Sequence, residues 1–130
     1  MRKGVIAAWL TGAALIGAPI SAAHAQWIPG SEITGQAVQV ETNGIINTVY
    51  FDAGGTARIM TPGGATVPGT WTAANGQLCL STGGPQECWP YTQAFQAGQQ
   101  VALVSSCQST SRFTAMGTNP TGTPRSERGQ

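Results

Sequence analysis

Short runs of alternating apolar and polar residues, separated by glycine-rich turns, cover the middle of the chain. Val38 and Val40 flank Gln39, which is the alternation expected of a strand with one buried face. Ile59 lies between Arg58 and Met60, where the alternation is weaker. Helical periodicity is absent, and glycine and threonine are too frequent for long helices. The pattern therefore predicts an all-β protein.

Turn signals recur at intervals of roughly ten residues along the same region. Asn43-Gly44 and Asn75-Gly76 favour tight hairpin turns because their central positions tolerate positive φ. Four further pairs that contain glycine mark the other turns. The turns delimit eight predicted strands, over residues 37–42, 46–51, 56–61, 69–73, 77–81, 87–91, 100–105 and 112–115. A further edge strand over residues 27–34 is an open alternative.

Short strands at this spacing predict an antiparallel meander. We expect it to close as a small barrel of about eight strands, because closure removes exposed strand edges. A β-sandwich is the alternative. The predicted domain covers residues 26–116. Residues 117–130 contain no apolar side chain and are predicted to form a disordered tail, because they cannot bury enough surface to offset the entropy of ordering.

The N-terminus has the features of an export signal. Two basic residues precede an apolar stretch over residues 5–20, which three helix-disfavouring residues interrupt. The small residues Ala23 and Ala25 then occupy the −3 and −1 positions of a cleavage site. We predict that residues 1–25 are a signal peptide and that the mature protein is periplasmic or secreted. A retained N-terminal anchor is the alternative, although the apolar stretch is short for a membrane span of roughly 20 residues.

Removal of the signal peptide also removes the only histidine, His24, and the only lysine, Lys3. The remaining chain has four arginines and five carboxylates, a net charge of −1, and no cluster of either sign. Nucleic acids and anionic membranes need a basic patch, so neither is an expected partner. Without imidazole, and with three cysteines of which two are expected to pair, no metal site is predicted. No cofactor is predicted either.

The absence of histidine and lysine also removes the commonest general bases and the usual partners of a nucleophilic serine. Glu41, Asp52 and Glu87 remain as candidates for acid–base chemistry. Each lies near a predicted turn or strand end, where a solvated surface charge is the simpler interpretation. We therefore expect a protein that is not an enzyme. A hydrolase that depends on carboxylates is the less favoured alternative, and Asp52→Asn or Glu41→Gln would abolish its activity.

Two of the three cysteines lie on the predicted hairpin around Gly83-Gly84. If this hairpin turns symmetrically, Cys79 faces Cys88, and Leu78 faces Trp89 on the other side of the sheet. Facing residues on an antiparallel pair are close enough for a disulfide. We favour the Cys79–Cys88 bond. A bond that involves Cys107, or no internal bond, are the alternatives, and we expect Cys107 to be a buried, unreactive thiol.

The sequence around this hairpin contains Gly69-Thr70-Trp71, then Leu78-Cys79, then Cys88-Trp89. In this layout residues 33–104 resemble small exported β-proteins of Gram-negative bacteria. The resemblance implies a β fold, an exported location and the Cys79–Cys88 pairing. It implies no activity, and Cys107 stands outside the pattern.

Aromatic residues supply the remaining candidates for function. Trp71 and Trp89 are expected to fill the core of so small a domain. Tyr91, which follows a proline at a strand end, is the candidate for an exposed contact. We take Tyr91, Arg58 and Trp71 as the residues of a binding face.

Two classes of function follow from these features. The first is a monomeric, non-catalytic binding or inhibitory module that acts on an envelope protein or a small ligand. The second is a structural or stress-related envelope protein.

Overall fold

The computed structural model describes residues 26–120, which form eight antiparallel strands in a nearly closed barrel. The strands are β1 (Ala37–Thr42), β2 (Ile45–Phe51), β3 (Thr56–Met60), β4 (Thr66–Ala74), β5 (Gln77–Ser81), β6 (Glu87–Pro90), β7 (Gln100–Val104) and β8 (Thr110–Ala115). The described part of the chain contains no helix. The predictions of an all-β fold and a barrel of about eight strands are confirmed. The predicted signal peptide lies outside the described residues.

The strands follow one another around the barrel in the order β6-β5-β4-β3-β2-β1-β8-β7. Strands β1 to β6 form a continuous meander, and the β7–β8 hairpin joins it because β8 pairs with β1, with Phe113 opposite Val40. The first and last strands of this order, β6 and β7, come close to each other without forming a ladder. We call the gap between β6 and β7 the seam.

Most predicted strand boundaries agree with the observed ones to within two residues. The exception is β4, which begins at Thr66 although the prediction began at residue 69. Pro68 explains the difference. Proline has no N–H to donate to a neighbouring strand, so its presence argues against a strand at this position. In the structure it nevertheless pairs in register with Arg58. Residues 27–34 are not a strand. Residues 29–35 form successive turns, with Gly30 at a φ of 90°.

Alternate residues of each strand point into the barrel. On β1 and β2 these include Val38, Val49 and Phe51, which are almost fully buried. Leu78 and Trp89 face each other inside the barrel as the hairpin geometry predicted, and Trp89 packs edge-to-face on Phe113 with 5.2 Å between ring centroids. The alternation seen in the sequence therefore marks the two faces of the sheet correctly.

The glycine of the Gly-x-Trp motif is required by close contact between β4 and β5. A Cβ atom on Gly69 would lie 2.6 Å from the backbone oxygen of Ser81. The two backbones are too close for a side chain at position 69. Any larger residue would push the strands apart and disturb the ladder between them. The motif therefore has a packing explanation.

One end of the barrel is covered by the residues that precede β1 and those that follow β8. Ile33 is fully buried there. The side-chain amide of Asn119 donates to the backbone oxygens of Ser31 (3.0 Å) and Thr34 (2.7 Å). The backbone N–H of Asn119 donates to the backbone oxygen of Glu32 (2.8 Å). These hydrogen bonds link the segment after β8 to the segment before β1. Residues 121–130 of the predicted tail lie outside the described residues.

The sulfur atoms of Cys79 and Cys88 are bonded, and the two residues face each other on β5 and β6. The register predicted from the sequence is confirmed, and the disulfide is compatible with an oxidising location. The prediction that Cys107 is buried is wrong, because its thiol is free and exposed in the β7–β8 turn. That turn lies at the barrel surface, where the chain reverses and few neighbours are available to cover a side chain.

Candidate functional site

The barrel fails to close at Pro90. At one end of the seam, the Ser106 N–H donates to the Cys88 oxygen (2.8 Å) and the Cys88 N–H donates to Ser106 Oγ (3.0 Å). Two residues further along, antiparallel pairing would place Pro90 opposite Val104. Proline has no N–H to donate, so the pairing stops there.

Beyond Pro90 the chain keeps the register of the β5–β6 pairing for one more residue. The N–H of Tyr91 donates to the Gly76 oxygen (2.8 Å), which holds the chain against the β4–β5 turn. Residues 91–99 then form a loop, and the Gly98 N–H donates to the Ala115 oxygen (2.8 Å) just before β7 begins. The loop therefore connects β6 to β7 and is fixed by a hydrogen bond near each of its ends.

A cavity of about 170 Å³, which we call the seam pocket, lies at this opening. It is lined by Pro90, Tyr91, Thr92, Gln93, Ala94, Phe95, Gln96, Gln99, Val101 and Leu103. These residues combine apolar surface with three carboxamides and two hydroxyls, and none carries a charge at neutral pH. A cavity of about 150 Å³ accommodates benzene. The seam pocket is therefore suited to one apolar group of that size.

Behind the pocket lies a fully buried carboxyl group, that of Glu32. Its Oε2 accepts hydrogen bonds from the Tyr91 hydroxyl (2.5 Å) and the Phe95 N–H (2.9 Å), and its Oε1 accepts one from Trp27 Nε1 (2.9 Å). We call these four residues the Glu32 cluster. Three donors compensate the group for lost hydration, as a buried carboxyl group requires.

Burial and the adjacent Glu32 carboxyl raise the pKa of Tyr91 far above that of an ordinary phenol. The Tyr91 oxygen also accepts a hydrogen bond from the Gly30 N–H (3.0 Å), so both of its hydrogen-bonding roles are taken within the protein. The Tyr91 ring stacks on Phe95 with 5.3 Å between centroids, and Phe95 stacks on Phe113 at 5.5 Å. The tyrosine therefore offers the pocket only its ring.

The Glu32 cluster positions the inner wall of the seam pocket, because Tyr91 and Phe95 belong to both. Sequence reasoning did not identify Glu32 as important. Its partners Tyr91 and Phe95 are 59 and 63 residues away along the chain, so no local pattern connects them. A carboxylate between turn residues and Ile33 was the only available signal, and it also suits an exposed loop.

The three predicted binding residues do not form one face. Tyr91, predicted to be exposed, is 3% exposed, because the Glu32 cluster holds it inside the covered end of the barrel. Trp71 is half-buried, packs edge-to-face on Phe51, and donates from Nε1 to the Asp52 oxygen (2.9 Å). Arg58 is exposed on the outer surface of β3. Of the three, only Tyr91 lines the seam pocket.

Arg58 instead pairs with the carboxylate of Asp52. Its Nε and a terminal nitrogen contact the two carboxylate oxygens at 2.8 and 3.0 Å, and the guanidinium lies 4.4 Å from the centre of the Tyr50 ring. The hydrogen bond from Arg58 lowers the pKa of Asp52 below its usual value. The pair is solvated and resembles a surface salt bridge, which stabilises a fold little.

The three carboxylates considered for catalysis are distributed around the barrel. Glu41 is on β1 opposite Arg112, Asp52 is in the β2–β3 turn, and Glu87 begins β6. No group of three or more metal-ligating side chains occurs within residues 26–120. In that part of the chain, no helix has the length and hydrophobicity that a membrane crossing requires.

Comparison with known proteins gives no match to a family model, a curated protein or a solved structure.

Proposed function

We propose that the protein is an exported, non-catalytic binding module that takes one uncharged apolar group of its ligand into the seam pocket. The observation that carries this proposal is a neutral, side-chain-sized cavity whose inner wall is fixed by the buried Glu32 cluster. A pocket that is formed before the ligand arrives binds without the cost of ordering its walls.

The chemistry of the pocket supports binding over catalysis. Glutamine and threonine side chains can orient a ligand, but they do not exchange protons near neutral pH. Both oxygens of Glu32 already accept hydrogen bonds from protein donors, and the Tyr91 hydroxyl is engaged twice. A hydrolase that depends on Glu41, Asp52 or Glu87 would need residues that lie on separate elements of the barrel.

The proposal of export rests on the sequence of residues 1–25 and is supported by the Cys79–Cys88 disulfide. In this interpretation the mature protein works in the periplasm or outside the cell, where the disulfide remains oxidised.

A titration followed by nuclear magnetic resonance tests the pocket. Benzyl alcohol is a neutral probe of suitable size, and benzoate is its charged counterpart. We expect benzyl alcohol to shift the amide signals of pocket residues and to bind at least about tenfold tighter than benzoate, because the neutral lining does not compensate a buried charge.

Two variants in the same loop provide the matched comparison. Ala94 is half-buried and lines the pocket, so Ala94→Leu should fill it and abolish the shifts. Ala97 is exposed and outside the pocket, so Ala97→Leu should bind as the unaltered protein does. Equal binding by both variants, or no binding of benzyl alcohol to the unaltered protein, would contradict the proposal.

Native mass spectrometry of the protein recovered from the periplasm of its own host provides a second test. We expect a retained partner or ligand, and we expect Ala94→Leu to release it. Retention of the same mass by Ala94→Leu would show that the ligand is held elsewhere.

A further inference from the structure

We propose that the natural occupant of the seam is an extended peptide segment of a partner protein. This segment adds to the free edge of β7 and places one uncharged apolar side chain in the seam pocket. The inference rests on the proposed function and specifies the class of ligand.

The first argument is the free backbone edge of β7. Hydrogen-bonded pairs recur at every second residue of an antiparallel ladder. The Ser105 N–H donates to the Ser109 oxygen (2.8 Å), so Leu103 and Val101 are the next residues that bond to β8. The backbone groups of Ala102 and Val104 therefore face the seam. Ser106 follows the same alternation, because its N–H crosses the seam to Cys88.

The second argument is the position of the pocket relative to this edge. Val101 and Leu103 point inward and line the pocket, and they alternate with the residues whose backbone faces the seam. An added strand directs alternate side chains to the same inner face as those of its neighbour. A side chain on the inner face of an added strand therefore lies beside Val101 and Leu103, at the mouth of the pocket. Backbone pairing and side-chain insertion are thus compatible in one ligand, as in other cases of strand addition.

The third argument is the size and charge of the pocket. Its volume of about 170 Å³ suits one branched aliphatic or aromatic side chain. No charged residue lines it, so an acidic or basic side chain would be desolvated without a partner. The exposed amides of Gln93, Gln96 and Gln99 stand around the same pocket and can bond to neighbouring peptide groups.

A second copy of this chain is a poorer occupant. Its β7 edge has backbone groups to pair, but its Val101 and Leu103 side chains point into its own barrel. A symmetrical pair of β7 edges would therefore leave both pockets unfilled.

Capped synthetic pentapeptides with the sequence Ser-Thr-X-Thr-Ser test the proposal on the whole protein by the same magnetic resonance titration. We expect the peptide with X as leucine to bind about tenfold or more tightly than those with alanine or glutamate, because only leucine fills the apolar pocket. Methylation of the backbone nitrogens of the two residues that flank X should weaken binding of the leucine peptide by a similar factor, because it removes the donors for strand pairing.

A variant of β7 separates the two contributions. Ala102→Pro removes an N–H that faces the seam, at a position where an edge strand tolerates proline. We expect it to weaken the leucine peptide and to leave benzyl alcohol binding unchanged.

Three outcomes would overturn the peptide proposal. They are benzyl alcohol binding without peptide binding, peptide binding that is indifferent to backbone methylation, and a dimer in sedimentation that blocks the seam. The first of these leaves the proposed function intact, whereas failure of both probes removes both proposals.

Discussion

At the residue scale, the notable feature is a carboxyl group buried without a cation. Glu32 is fully buried, and its three hydrogen-bond donors are a hydroxyl, an indole N–H and a backbone N–H. Neutral donors can hold such a group only while all of them stay aligned, because each unsatisfied buried partner costs about 1–3 kcal/mol. Glu32 therefore couples the segment before β1 to the loop after β6.

Replacement of Glu32 tests this coupling. Glu32→Ala should lower the free energy of unfolding by about 2 kcal/mol or more, because it leaves the Tyr91 hydroxyl and the Phe95 N–H buried without an acceptor. Denaturant unfolding measures the change. The control is Glu87→Ala, since Glu87 is half-buried and makes no side-chain hydrogen bond among the described residues. A loss no larger than that of the control would contradict the structural role of Glu32.

The buried Tyr91 hydroxyl leads us to expect that the fold loses stability at alkaline pH. Its pKa in the folded protein is raised above the phenol value of 10.0, chiefly by burial and then by the hydrogen bond to Glu32. Folding therefore favours the neutral form. The associated stability is fully present below about pH 10 and is lost as the pH rises further, because the unfolded chain then ionises more readily.

Tyr50→Phe makes this effect visible, because Tyr91 is then the only tyrosine in the chain. We expect its phenolate absorbance to appear together with the loss of the fold as the pH is raised. Phenolate absorbance that appears while the barrel remains folded would show that Tyr91 is accessible, contrary to its burial.

At the element scale, one proline determines where the barrel stays open. β6 is four residues long and ends at Pro90, and its pairing with the β7 side of the barrel is confined to Cys88 and Ser106. A strand edge without partners usually invites association, and natural proteins often protect such edges with proline. In this barrel the same proline also leaves room for the seam pocket.

Pro90→Thr should extend the pairing of β6 toward Val104. The new N–H at position 90 can donate across the seam. We therefore expect this amide to exchange its hydrogen at least about tenfold more slowly than the new amide of the control variant below. Benzyl alcohol should also bind more weakly, because the seam narrows. The control is Pro85→Thr in the exposed β5–β6 turn, whose new amide should exchange rapidly. Equal exchange at the two positions would show that Pro90 does not cause the opening.

At the scale of the whole molecule, the Cys79–Cys88 disulfide secures the strand that borders the seam. β6 has a full ladder only with β5, and the disulfide adds a covalent link across that same pair of strands. The closed loop is short, which limits the entropic benefit to the folded state.

Cys79→Ala with Cys88→Ala should lower the free energy of unfolding by about 2–3 kcal/mol, which is typical of a loop of roughly ten residues. We also expect weaker binding in the seam pocket, because β6 supports its Pro90 wall. Cys107→Ser is the control, because its exposed thiol is free and outside the pocket. Unfolding of the double variant at the same denaturant concentration as the control would contradict the stabilising role of the disulfide.

Most of the fold was predictable because its determinants are local. The Asn43-Gly44 and Asn75-Gly76 turns have positive φ at both residues, as the sequence predicted. Each turn determines the register of the hairpin that it closes, so the facing positions of Cys79 and Cys88 could be counted from Gly83-Gly84. The start of β4 was missed because proline argues locally against a strand and only the pairing with β3 overrides it.

The candidate site was predictable only in part, because burial depends on distant neighbours. Tyr91 was identified as important, but a strand end beside a proline suggested exposure. Its burial requires Glu32, which approaches from the other end of the chain. Cys107 was expected to be buried for the general reason that free cysteines often are, whereas its side chain is exposed in the β7–β8 turn.

The amino-acid sequence by itself determined the all-β class, the eight strands, their turns and the cysteine pair, because alternation and turn chemistry act over a few neighbouring residues. Only the tertiary structure decided that β8 closes onto β1, that the seam stays open beside Pro90, and that Glu32 and Tyr91 meet behind the pocket. These features join residues that lie far apart along the chain. Their contacts exist only after the barrel has formed, and no local pattern records them.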